Sequence, residues 1–125
     1  MFTDVWEAGD RWFKSNYPDQ NSMRKKINIF YTTCGNIIDS KKLARTLLSG
    51  NKAFCINILK NVESLYLDKG RIKSSSETIL IIKTTMNKSH IENFIKNQHP
   101  YEIPFITQIV IKDVNDEYLN WASKN

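Results

Sequence analysis

The chain has 125 residues, of which 41% are apolar and 25% charged. That is the length of a single domain, about 100–200 residues, and the apolar share excludes a wholly disordered chain. Eighteen Lys and Arg against thirteen Asp and Glu give a net charge of +5. The excess is spread along the chain apart from Arg24-Lys25-Lys26, so no nucleic-acid partner is expected.

In chain order, Phe2, Val5, Trp6, Gly9, Trp12 and Phe13 share one face at about 100° per residue, and Asp4, Glu7, Asp10, Arg11 and Lys14 share the other. This predicts an amphipathic helix over 3–15. Pro18 and its polar neighbours then read as a linker, so residues 1–25 form an aromatic-rich extension and 26–125 a folded domain. The interrupting charges Asp4, Glu7, Asp10 and Arg11 leave no signal-peptide core. No apolar run approaches the ~18 residues of a membrane span, and a cytoplasmic protein is expected.

Ile27 to Thr32 is β-rich and predicts the first strand. Asn36 is placed to cap a helix whose apolar face is Leu43, Ala44, Leu47 and Leu48, with Lys41, Lys42 and Arg45 outside. Gly50-Asn51 ends it. A long strand follows from Phe54 to Leu67, with a bulge or bend expected at Lys60-Asn61. Asp68-Lys69-Gly70 predicts a hairpin turn. The return strand runs from Arg71 to Thr85, and its continuous Ile79-Leu80-Ile81-Ile82 places it inside the sheet or under another chain. Asn87 or Ser89 caps a second helix with Ile91, Phe94 and Ile95 on its core face, and His99-Pro100 stops it. Phe105 to Ile111 is the fourth strand. Asp116 is expected to cap a short terminal helix with Tyr118, Leu119, Trp121 and Ala122 inward.

The order strand, helix, strand, strand, helix, strand is the split βαβ arrangement. The expected fold is α+β and ferredoxin-like: a βαββαβ unit with a four-stranded antiparallel sheet, a long hairpin between the second and third strands, and a short C-terminal helix. Arms of that length exceed the usual 5–6 residues. Left open, their edges invite pairing with neighbouring chains.

Six segments in register resemble one family. They are Tyr31-Thr32-Thr33-Cys34, Cys55-Ile56-Asn57, Ser64-Leu65-Tyr66 before Gly70, Glu77 before Leu80-Ile81-Ile82-Lys83-Thr84, His99-Pro100-Tyr101-Glu102 with Pro104, and Tyr118-Leu119-Asn120-Trp121. In this order and spacing they are similar to the CutA family of divalent-cation-tolerance proteins, from about Ile27 to the C-terminus. The resemblance implies a homotrimer whose long hairpins pack across subunits, a link to divalent-cation tolerance and copper binding, and no established reaction. It also implies kinship of form with the PII signalling proteins, which bind effectors between subunits. The copper pattern of the best-known bacterial members has a cysteine near the end of the first strand and a His-His pair before Pro-Tyr. Here Tyr31 stands at the strand cysteine, Cys34 lies three residues later, and the pair is Gln98-His99.

His99 is therefore the first candidate metal ligand, since imidazole suits copper and zinc. The alternative role is a cap on the preceding helix. Cys34, at a strand-to-helix turn, is the second candidate ligand; the alternative is a small buried turn residue. Cys55, alternating with Phe54 and Ile56, is expected in the core, and His90 in solvent. Tyr31, Lys83 and Tyr101, with His99, are candidate residues for a ligand site in a subunit cleft. Glu77, Tyr66 and Trp121 are expected to be structural, with Glu77 held by a partner such as Lys83 or Arg71. No nucleophile–base order, paired acids or Gly-rich phosphate loop points to catalysis, so no enzyme is expected. The expected function is divalent metal ion binding and tolerance, with Cu²⁺ the expected ion and the chain itself the expected partner. The alternative is a PII-like trimer that binds a small ligand or protein at its clefts without metal.

Overall fold

A computed structural model describes residues 26–125. The predicted helix at 3–15 lies outside the described residues. The described residues fall into two units, Asn28–Ile111 and the short segments Lys26–Ile27 and Lys112–Asn125. The larger unit holds β1 (Asn28–Cys34), α1 (Ile37–Ser49), β2 (Cys55–Asp68), β3 (Arg71–Thr84), α2 (Lys88–Gln98) and β4 (Ile106–Ile109). The smaller holds α3 (Asp116–Lys124).

The four strands form one antiparallel sheet in the order β2-β3-β1-β4. This is the expected ferredoxin-like arrangement. β3 is interior, as its apolar run requires. Its alternate residues divide between two faces: Leu80 and Ile82 are fully buried, and Ile79 and Ile81 are half-buried on the other side. Phe30, Leu80 and Ile82 meet Leu43, Ala44 and Leu47 of α1 and Ile91 and Ile95 of α2 in one core. Both helices therefore cover one face of the sheet. By register, the opposite face carries Ile29, Tyr31, Cys55, Asn57, Ile81, Lys83, Thr107 and Ile109.

Local chemistry sets the element ends. The Asn36 side chain accepts the Asp39 amide at 2.8 Å and starts α1. Asn87, not Ser89, caps α2 by accepting the His90 amide at 3.2 Å. After Gly50 the chain turns through Asn51, which takes φ 57; asparagine tolerates that region better than most residues. The β2–β3 turn has φ 53 at Lys69 and φ 80 at Gly70. Two positive central φ values define the type I′ turn, whose twist matches that of the flanking strands. The expected bulge is present: the β2–β3 register shifts between Leu59 and Val62, and Asn61 has φ 57.

Several expectations are corrected. β4 spans only Ile106–Ile109, because β1 pairs it only from Ile29 to Thr32. Val110, expected within that strand, is 88% exposed. Leu48 and Trp121 lie substantially in solvent instead of facing inward. Asn115, not Asp116, occupies the N-cap of α3, and it makes no side-chain cap bond. Cys55 is only partly buried and lies on the sheet face away from the helices, because it is opposite Lys83 rather than Ile82.

Candidate functional site

β1 ends at Cys34, β3 passes beside it, and the segment after α2 returns to the same point. The last residue of β1 is opposite Thr78, and β4 has already ended opposite Thr32. Into this gap comes His99, the residue that terminates α2 in an extended conformation. The fold thus brings His99 to Cys34 across 65 positions of the chain, with Cys34 Sγ 3.8 Å from His99 Nε2. Both are buried, the thiol completely.

The tautomer of His99 follows from its partners. Nε2 is 2.8 Å from the Thr33 carbonyl oxygen, which can only accept. Nδ1 receives the backbone N–H of Tyr101 at 3.0 Å, so it must carry the lone pair. His99 is therefore the neutral Nε2–H imidazole. Burial lowers its pKa, with the Thr33 bond opposing. The alternative role, a side-chain cap on the last carbonyls of α2, is corrected: the ring bonds the end of β1 and its own following turn. Burial likewise raises the Cys34 pKa and favours the thiol, against a hydrogen bond with Ser40. The nearby carboxylates of Asp39 and Glu77 raise this pKa further.

Tyr101 continues the chain of bonds. Its ring lies 5.0 Å from the His99 ring, centroid to centroid. Its hydroxyl donates to Glu77 Oε2 at 2.8 Å. Glu77 is thus held by a tyrosine, not by Lys83 or Arg71. Its carboxyl pKa is lowered mainly by the hydrogen bond from Ser64, with further help from Tyr101 and Thr33 against partial burial. Burial and the adjacent carboxylate push the Tyr101 hydroxyl above its ordinary range. Gly35 leaves room for this crossing, since a Cβ there would lie 3.3 Å from the Tyr101 hydroxyl.

The remaining sequence candidates lie elsewhere. Tyr31 sits on the sheet face away from the helices, edge-on to Phe105 at 6.1 Å between centroids. Lys83 is on the same face, opposite Ile29 and Cys55. Tyr66 stands on the hairpin arm opposite Lys73 and is 46% exposed. Trp121 lies against Tyr118 in α3, with ring centroids 5.4 Å apart and the planes tilted by 42°. Sequence reasoning missed the Tyr101–Glu77 bond and the roles of Gly35 and Ser64. A signal for the first existed: a carboxylate before a buried apolar strand needs a donor, and a tyrosine hydroxyl is one.

A shared metal does not fit the bonding of Cys34 and His99. The thiol lies beside the imidazole N–H, while the lone pair points to the Tyr101 amide. Ligation through Nε2 would cost the Thr33 bond. It would also move the ring proton to Nδ1, where the Tyr101 N–H already points. Among the described residues, no three His, Cys, Asp or Glu side chains group as metal ligands.

Comparison with known proteins agrees with the topology. The family model described as "CutA1 divalent ion tolerance protein" matches residues 28–125. The chain is 34% identical over 97 residues to a Xenopus laevis protein named "Protein CutA homolog", covering 77% of this chain and 64% of that one. It is 33% identical to the "Divalent-cation tolerance protein CutA" of Thermococcus kodakarensis, covering 77% and 92%. The crystal structure of the divalent ion tolerance protein CutA1 from Ehrlichia chaffeensis superposes with a TM-score of 0.76 at 31% identity, covering 82% of this chain and 95% of that one. The chain spans 54–64% of the length of the vertebrate relatives. The shared sheet order, the long hairpin and the family match across the βαββαβ unit lead to one conclusion: the chain belongs to the CutA1 divalent ion tolerance family.

Proposed function

We propose that this protein acts in tolerance of divalent metal ions as a homotrimer, and that it is not an enzyme. The observation that carries the reading is the family match from residue 28 to the C-terminus. The long hairpin supports assembly. Beyond Thr78, β3 has no β1 partner, and the arm carries Leu65, Leu67 and Ile72, each at least 67% exposed. By register, these three share one face of the arm. Ile103, Phe105 and Val110 flank or adjoin the open β4 edge and are at least 62% exposed. Arms from one copy laid on such an edge of the next would cover both surfaces and satisfy open strand edges.

A second reading is favoured by the closed bonding of His99. In it the trimer is a signalling or assembly protein, resembling PII in form, that takes a small ligand or protein at its subunit clefts without metal. Tyr31, Lys83 and Tyr101 are the residues proposed for such a cleft. Calorimetric titration with Cu²⁺ and Zn²⁺, on wild type and His99→Ala, separates the two. Saturable binding weakened tenfold or more by the substitution supports metal binding at His99. Saturable binding indifferent to His99 places the metal elsewhere on the trimer. Absence of saturable heat favours the cleft reading. A monomer by light scattering at micromolar concentration overturns both.

A further inference from the structure

The hairpin has a weak point at its base. Moving outward along β3, Thr78 is the last residue paired with β1. Its neighbour Glu77 is opposite Val62, the first β2 residue beyond the register shift. The sheet therefore loses its third strand at the step where the β2–β3 ladder is interrupted. Seven residues on each arm, 62–68 and 71–77, project past this point. At about 3.3 Å per residue the projection is roughly 23 Å. A two-stranded ribbon is marginal by itself, and one joined through a bulge can pivot there.

Glu77 is also where Tyr101 attaches. We propose that His99-Pro100-Tyr101 is a strap that locks this hinge and fixes the angle of the hairpin arm. The strap is anchored at its origin by His99 Nε2–H on the Thr33 carbonyl and braced internally by the Tyr101 amide on His99 Nδ1. It grips at the far end through the Tyr101 hydroxyl on Glu77. Gly35 is the clearance beneath it, with only 3.3 Å between an added Cβ and the hydroxyl. His99 thus holds backbone to backbone where a copper ligand would have to offer a lone pair. The inference goes beyond the proposed function: every group named belongs to a single chain, and a matched oligomeric state holds the contribution of neighbouring copies constant in the test.

The test is amide hydrogen exchange on the full-length protein. Wild type, Tyr101→Phe and Gly35→Ala are compared at matched oligomeric state, checked by light scattering. Tyr101→Phe removes only the hydroxyl, and Gly35→Ala crowds it from below. Exchange at residues 62–66 and 74–78 is expected to accelerate tenfold or more in both variants, with residues 80–82 unchanged. Unchanged exchange at the hairpin base overturns the strap. Uniform acceleration that includes residues 80–82 also overturns it, since it would report general destabilisation. Nitrogen-15 NMR of His99 provides an independent check, with the Nε2–H tautomer expected. A dominant Nδ1–H form overturns the anchoring, whatever the state of the hairpin.

Discussion

The imidazole of His99 gives its Nε2 proton to the Thr33 carbonyl, 2.8 Å away, and so presents an N–H, not a lone pair, to Cys34. Two residues that a sequence reading names as candidate metal ligands are neighbours in the fold, yet their chemistry there is that of a buried hydrogen-bond unit. The arrangement has consequences for acid stability and for the roles of the surrounding groups.

Stability should fall as the solution becomes acidic. The folded chain holds His99 below its ordinary value of 6.5. The unfolded chain therefore takes up the proton first, and stability declines as pH falls through about 6.5, levelling once the folded group also titrates. Glu77, held below 4.5, adds a loss of the same sign at lower pH. Its contribution is full above the unfolded value and disappears through the lower folded one. Urea midpoints measured from about pH 7.5 down to about pH 5 should decline for wild type and flatten for His99→Gln. An equal decline in the variant would assign the effect to other groups.

The core should respond to truncation at Leu80 far more than at the hairpin tip. Leu80 is fully buried between the sheet and both helices. Leu80→Ala should cost about 2–5 kcal/mol in chemical denaturation. A loss under about 1 kcal/mol would mean that the site collapses around the missing atoms.

The arm residues should matter for assembly and not for the fold of the single chain. Leu65, Leu67 and Ile72 are 67%, 73% and 76% exposed. Changing all three to serine should shift the mass measured by light scattering toward the monomer while leaving the circular dichroism spectrum in place. A trimer that survives the triple change would remove the arm's apolar face from the interface.

The two helix starts offer a matched pair. Asn36→Ala removes an accepted amide hydrogen bond and should cost about 1 kcal/mol. Asn115→Ala removes no side-chain cap bond, so its effect should stay within about 0.5 kcal/mol. Thermal or urea denaturation of both variants measures the contrast. Equal losses would show that the Asn36 bond adds nothing.

Much of the fold was legible along the chain. The alternation around Ile56 and Ile58, the helical spacing of Leu43 and Leu47, and the turn at Lys69-Gly70 each express a local period or a local backbone preference. The bulge at Lys60-Asn61 was legible too, because these two polar residues interrupt the alternation between Ile58 and Val62. The short β4 was not, since nothing in Val110-Ile111 reports that pairing with β1 stops at Ile109. Nor was the exposure of Trp121, which depends on what a helix packs against and not on its own spacing.

The site divides in the same way. By itself the sequence determined the βαββαβ order, the length of the hairpin and the family, because each rests on periodicity, turn chemistry or residues kept in register. It also nominated Cys34 and His99. Only the tertiary structure decided that His99 spends both ring nitrogens on backbone groups and that Tyr101 crosses Gly35 to reach Glu77. These bonds join residues from 2 to 66 positions apart. A hydrogen bond depends on the direction of a lone pair, and that direction is set only when distant strands and a helix end have packed around it.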